Sequence, residues 1–263
     1  MGLRGALLLC LLCGFFALTP PTGVHLSPGD EPNSITVSWS TDGDSAAGSL
    51  LEFLPSGAPE SETREVVGAS KPFAASPRSW FSNGRTILLH RVTAGGLQPG
   101  EVYAYRVGCP ATGWSRYFTF TAPRAPEAFS DVAPLRLLVA CDAGEVDASR
   151  RAALAALAAD AASSPFDFWL HCGDIAYDMN DDQGRKADRF LSSIEATAAA
   201  VPYLVAPGNH EEAKNFSAFR ARFAMPGSGA SENLYWSRVR LLMILIPCSC
   251  NLHICSRISD QSI

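Results

Sequence analysis

Phe166-Asp167-Phe168-Trp169-Leu170-His171-Cys172-Gly173-Asp174-Ile175-Ala176-Tyr177 is a short apolar run that breaks at a glycine and passes at once into side chains that carry chemistry. Such a run predicts a buried strand, here Phe166 to His171, with Asp174 and Tyr177 just past its carboxyl end. The same design recurs on either side. Upstream, Leu135 to Ala140 is almost continuously apolar ahead of Cys141-Asp142-Ala143-Gly144; downstream, Val201 to Ala206 precedes Gly208-Asn209-His210-Glu211. Near-continuous apolar runs suit strands covered on both faces. Helical periods lie between them. Asp147 is placed to cap a helix over about Ala148 to Ala162, with Leu154, Leu157 and Ala161 on one face, and Arg185 to Ala199 turns Phe190, Leu191 and Ile194 inward. Phe216, Phe219 and Phe223 form the apolar face of a third helix. The rhythm is βαβ, and every polar residue singled out falls at a strand's carboxyl end, where open α/β sheets place their chemistry.

Before this region the pattern changes. From Val24 to Pro123, short alternating runs are separated by Gly, Pro, Asn and Ser. Ile35, Val37 and Trp39 alternate with Thr36 and Ser38, as in a half-buried strand with a large aromatic in the core. Leu97-Gln98-Pro99-Gly100 is a turn leading into alternating Tyr103, Tyr105 and Val107. That spacing resembles the penultimate strand of a fibronectin type III sandwich, where a tyrosine ties down a corner. His25 and His90 stand singly, without metal-like neighbours, so this region reads as a packing and positioning module. The stretch from Ala122 to Pro134 carries three prolines and marks the boundary. The organisation read from sequence is a leader over 1–23, a sandwich over 24–123, a linker over 124–134, an α/β region over 135–237 and a tail over 238–263.

The leader has Arg4, an apolar stretch from Ala6 to Leu18 and then Thr19-Pro20-Pro21-Thr22-Gly23, the layout of a secretory signal. The apolar stretch is shorter than the roughly 20 residues of a membrane-spanning helix, which predicts a cleaved, exported chain without stable membrane insertion. Loss of Arg4 would take the formal charge from −5 to −6, and there is no long Lys/Arg run to suit nucleic acid. Cys10 and Cys13 would leave with the leader. The six remaining cysteines, Cys109, Cys141, Cys172, Cys248, Cys250 and Cys255, are too unevenly spaced for a disulfide scaffold. Cys141 and Cys172 end apolar strands and read as small buried hydrophobes. Asn215-Phe216-Ser217 is a glycosylation sequon, usable on an exported chain.

The three strand-end motifs supply the parts of a phosphate-ester hydrolysis site built on two metals: anionic oxygen donors, one of them bridging, and an open position for a hydroxide nucleophile. Asp142, Asp174 and Tyr177 are hard oxygen donors suited to a trivalent ion, and the Asn209 amide oxygen suits a divalent one. Asp174, in the middle motif, is the natural bridge. His210 could reach the substrate phosphate, stabilising charge or assisting departure of the leaving alkoxide.

With these residues in order, the chain resembles the long, two-domain purple acid phosphatases. Their motifs run Gly-Asp-x-Gly, Gly-Asp-x-x-Tyr and Gly-Asn-His-Asp/Glu. The second and third match fully, and the first departs only at Cys141, where the family has glycine. The resemblance implies a fibronectin III-like sandwich followed by a calcineurin-like metallophosphoesterase domain. It further implies Fe(III) on Asp142, Asp174 and Tyr177, with a violet band from the Tyr177 phenolate. A second metal, Fe, Zn or Mn, would sit on Asp174 and Asn209. The implied substrates are small phosphate monoesters or a phosphoprotein, hydrolysed by a metal-bound hydroxide.

The motif resemblance runs from about Val24 to Ser237. The family pattern continues with Val-x-x-His and Gly-His-x-His, which supply three imidazoles, whereas residues 238–263 offer only His253 and a Cys/Ser/Ile-rich tail. On this reading the divalent ion keeps only Asp174 and Asn209, half the sheet is missing, and the chain is impaired or inactive and prone to aggregation. The alternative function is then that of a binding or structural sandwich module alone.

Overall fold

In the computed structural model the residues described are 20–43, 48–75, 84–125, 134–144 and 166–238, with short pieces at 128, 152–153, 156–157, 159, 243–246 and 253–255. Of the leader expected over 1–23, residues 1–19 lie outside them, while Thr22 and Gly23 belong to the first strand. Also outside are Asp147 and most of the helix expected over Ala148 to Ala162, of which positions 152–153, 156–157 and 159 are helical.

The first half is a sandwich of strands β1 (Thr22–Pro28), β2 (Ile35–Asp42), β3 (Leu50–Pro55), β4 (Arg64–Val67), β5 (Ala69–Ala74), β6 (Thr86–Ala94), β7 (Val102–Cys109), β8 (Gly113–Trp114) and β9 (Phe118–Thr121). One sheet has the order β1-β2-β6-β5; the other runs β4-β3-β7-β8, with β9 also on β7. All pairings are antiparallel. Val24, Leu26, Ile35, Val37 and Trp39 from the first sheet meet Leu51, Phe53, Tyr103, Tyr105 and Val107 from the second in one core. Tyr103 ties the corner, its hydroxyl accepting a hydrogen bond from the Gln98 N–H at 3.0 Å. His90 is a core residue, stacked on Trp39 and bonded to Thr41 and Ser49.

Strand β2 differs from the half-buried strand expected. Thr36 and Ser38 are only 6% and 4% exposed, because the outward face of this sheet is the seam with the second half. His25, Ser38 and Arg91 form a row across β1, β2 and β6, and the His25 ring packs edge-on against Phe223 beyond the seam.

The second half is a parallel sheet, β10 (Leu137–Ala140), β11 (Phe168–Cys172) and β12 (Tyr203–Ala206), joined by helix α1 (Arg185–Ala198) and followed by helix α2 (Ala213–Arg222). Phe190, Leu191 and Ile194 of α1 are buried with Trp169, Leu170, Leu204, Val205, Phe219 and Phe223. Phe216 packs against this cluster only in part, and residues 214–216 have positive φ, so the first turn of α2 is irregular. Strand β10 is not covered on both faces as expected: Val139 is 52% exposed. It stands at the edge of the described sheet, paired with β11 alone among the described residues. Beyond Trp236, whose indole donates to the Val205 carbonyl at 2.7 Å, strands β13 (Trp236–Arg238), β14 (Met243–Ile246) and β15 (His253–Cys255) form an antiparallel sheet.

Helix α1 is also the hinge plate of the seam. It lies along β1, Gly23 meeting Leu191 so closely that a Cβ there would sit 3.0 Å from the leucine Cβ. Glu195 accepts from the Val24 N–H at 3.0 Å, and the Tyr105 hydroxyl donates to the Ala199 carbonyl at 2.8 Å. Asp188 on α1 is held by Arg85 from the sandwich and, at 2.8 Å, by Arg222 from α2, whose side chain is 1% exposed. A buried cation stripped of its carboxylate is costly. Asp188→Ala should therefore destabilise the protein by about 3 kcal/mol, measured by urea unfolding, because among the described residues it leaves the Arg222 guanidinium with the Gly184 carbonyl alone.

His25 and His171 are buried, and burial holds each imidazole down at about 4, against 6.5 in an open chain. The folded state thus stays neutral where the unfolded chain takes up protons. Stability is complete above 6.5 and is lost as pH falls toward 4, by on the order of 2 kcal/mol per histidine at pH 5. The denaturant midpoint should drop between pH 7 and pH 5, and His171→Gln should remove part of that drop.

Candidate metal centre

Three strand ends converge. In-register pairing of Leu137–Ala140 with Phe168–His171, and of Trp169–Cys172 with Tyr203–Ala206, brings the turns after β10, β11 and β12 side by side. The Asp142 N–H extends the ladder to the Gly173 carbonyl at 3.2 Å, and the Gly173 N–H reaches the Ala206 carbonyl at 2.9 Å. The chain then turns sharply at the residues of interest. Asp142, Asp174 and Tyr177 have φ of 53°, 51° and 46°, a left-handed conformation that costs a non-glycine residue on the order of 1–3 kcal/mol.

Glycines permit the close approach. A Cβ on Gly173 would lie 2.9 Å from the Gly208 Cα, and one on Gly208 would lie 2.2 Å from an Asp174 carboxylate oxygen and 2.6 Å from its amide nitrogen. The two turns therefore meet backbone to backbone. Glu211 fastens them: its carboxylate accepts N–H bonds from Gly208 at 2.8 Å, Asp174 at 2.9 Å and Ile175 at 2.9 Å. Burial pushes this carboxyl above its ordinary range, against the pull of the three donors. Sequence reading placed Glu211 in a motif without a role. Its signal was an acid two residues past Asn209 in a turn that must be buried.

The candidate donors fall into two contacts. The Tyr177 hydroxyl donates to Asp142 at 3.0 Å, and the Asp174 carboxylate accepts from the His210 backbone N–H at 3.2 Å. Asn209 opens the turn Asn209–Glu211 beside Asp174. The His210 ring lies 4.4 Å, centroid to centroid, from Tyr177, with Nδ1 3.3 Å from Asp178, a neighbour that the motif reading missed. Asp142 is exposed to solvent, so the donors open outward.

Two carboxylates, a phenol and an amide are an oxygen-rich set suited to hard cations. Among the described residues no three His, Cys, Asp or Glu side chains converge as a metal-holding group. The set thus fits the oxygen side of a centre, and the nearby imidazole, His210, is directed to Asp178.

Two sequence expectations change here. Cys141 is exposed and Cys172 only half-buried, so neither is the buried hydrophobe expected. Both stand where their strands run out of cover. Burial and the adjoining Cys141 push the Cys172 thiol up to about 12. Asn215 is exposed, with its side-chain oxygen 3.3 Å from Arg220.

The glycine contact makes one sharp expectation. Gly208→Ala should push Asp174 off its present position, costing about 1–3 kcal/mol in urea unfolding and lowering metal uptake measured by mass spectrometry.

A family model for the purple acid phosphatase N-terminal domain matches residues 21–122, and one for calcineurin-like phosphoesterases matches residues 129–244, past the Ser237 at which the motif resemblance ends. Acid phosphatase type 7 of Mus musculus is 37% identical over 249 residues, covering 89% of this chain and 52% of the relative. Its Homo sapiens counterpart is 39% identical over 224 residues, covering 82% and 46%. The chain thus spans about half the length of the curated relatives it matches. A purple acid phosphatase from yellow lupin (Lupinus luteus) seeds shares the fold, with a TM-score of 0.67 at 20% identity, over 84% of this chain and 43% of that one. Matched in both halves, and carrying the motifs where the fold brings strand ends together, the chain belongs to the purple acid phosphatase family.

Proposed function

We propose that this chain serves metal-dependent hydrolysis of phosphate monoesters, small or protein-borne, in the secretory pathway or outside the cell. The observation that supports it most directly is the convergence of Asp142, Tyr177 and Asp174 at adjoining strand ends, with Asp142 and Tyr177 in contact at 3.0 Å. Asp142, Asp174 and Tyr177 would hold Fe(III), and Asp174 with Asn209 a second ion, Fe, Zn or Mn. Bound there, the cations supply charge neutralisation and an activated nucleophile. The chain's own groups do the rest. Asp174, fixed by the His210 N–H and by Glu211 through its own backbone, sets the spacing of the donors. Asp178 at the His210 Nδ1 orients that imidazole, a group suited to a phosphate oxygen or a departing alkoxide.

The domain limits read from sequence, with the sandwich at 24–123 and the phosphoesterase part at 135–237, go with this reading. Export rests on the leader and on the exposed Asn215 of the sequon. Among the described residues no helix is long and apolar enough to cross a membrane.

A second reading is an impaired or inactive chain whose sandwich is its working part. It is favoured by the donor set, in which no three His, Cys, Asp or Glu side chains converge among the described residues. Metal content, visible spectrum and aryl phosphate hydrolysis of the purified chain separate the two. The phosphatase reading expects two metals per chain, a violet band lost in Tyr177→Phe, and turnover reduced more than about 100-fold in Asp174→Asn. A colourless, metal-poor chain without turnover supports the second reading.

A further inference from the structure

Cys141 and Cys172 occupy equivalent places on neighbouring strands. Parallel pairing sets Ala140 opposite His171, and Cys141 and Cys172 are the next residues along the two neighbouring strands. Side chains opposite one another in register project to the same face. Cys141 is near enough to be among the groups that raise the Cys172 thiol. Neighbouring strands lie about 4.8 Å apart, inside the range of Cα separations that a disulfide spans. Cys141 is exposed, so an oxidant can reach the pair. The phosphatase motif asks for glycine where Cys141 stands, so this thiol is not required by the metal chemistry and calls for its own explanation.

We propose that Cys141 and Cys172 form a reversible disulfide that staples the first metal-site turn to the second. The co-reactant is a small-molecule disulfide of the glutathione class. Cys141 loses its proton to solvent and attacks one sulfur of that disulfide, breaking the S–S bond and releasing one small thiol. Cys172 then attacks the Cys141 sulfur of the mixed disulfide, loses its proton and expels the second small thiol. Two protein thiols are oxidised to one disulfide, and one small disulfide is reduced to two thiols. Asp142 follows Cys141 directly and Asp174 lies two residues past Cys172, so the bond fixes the spacing of the two turns covalently. This goes beyond the phosphatase reading and stands whether or not the chain turns over phosphate esters.

Peptide mapping tests it on the whole chain. The protein is incubated with oxidised glutathione, its remaining thiols are blocked with N-ethylmaleimide in denaturant, and it is digested with trypsin without reduction. Cleavage after Arg136, Arg150, Arg151 and Arg185 yields Leu137–Arg150, which holds Cys141, and Ala152–Arg185, which holds Cys172. The expected result is one linked species of these two peptides, lighter by two hydrogens than their sum and separated by reductant. It should be missing in Cys141→Ser and in Cys172→Ala. Reductant should lower the thermal midpoint of the oxidised wild-type protein by on the order of 5 °C and leave Cys141→Ser unmoved. Recovery of both peptides with N-ethylmaleimide on Cys141 and Cys172 would overturn the proposal. So would links made chiefly to Cys109 or to Cys248, Cys250 and Cys255.

Discussion

The Glu211 carboxylate is the constraint on which the site depends. Two turns from different strands present backbone N–H groups to the buried Glu211 carboxylate. One side chain accepts from three of these groups, at Gly208, Asp174 and Ile175. A hydrogen bond to a charged acceptor contributes roughly 1.5–3 kcal/mol, and an orphaned buried donor costs a comparable amount. Burial raises the energy of the ionised form, and the donors lower it again. The balance favours the single arrangement in which all three bonds are made, which is also the arrangement that presents Asp174 and Asn209 together.

Backbone strain and glycine placement follow from this. Left-handed conformations at Asp142, Asp174 and Tyr177 persist because ladder bonds on one side and Glu211 on the other over-determine the turns. Gly173 and Gly208 are needed where the turns touch, since a side chain on either would occupy its partner's atoms. Side chains in such turns are held in place before any cation could arrive. Little reorganisation would then remain to oppose binding.

Much of this was legible in the sequence, for identifiable reasons. Apolar runs ending in Gly-Asp and Gly-Asn revealed the parallel strands and the site at their ends, because buried strands need uninterrupted apolar character and tight exits need glycine. Alternation around Tyr103 revealed the sandwich corner. What escaped was tertiary. Thr36 and Ser38 read as outward and wet, but the outward face became a seam, and nothing within β2 encodes a partner so far along the chain. Cys141 and Cys172 read as buried because their own strands are apolar, yet both sit at the rim. Glu211 looked like an ordinary acid of the motif until the N–H groups of another turn were placed around it.

Helix α1 supplies residues to one core and covers another. Ala199, at its end, belongs to the sandwich core, and Tyr105 from that core bonds back to it. Arg85, Asp188 and Arg222 join sandwich, α1 and α2 in one charged cluster. The halves on either side of the proline-rich boundary are therefore packed together along the seam. A piece cut at that boundary would carry a raw face where its neighbour had been. The sandwich is less a detachable module than the wall against which the α/β half is built.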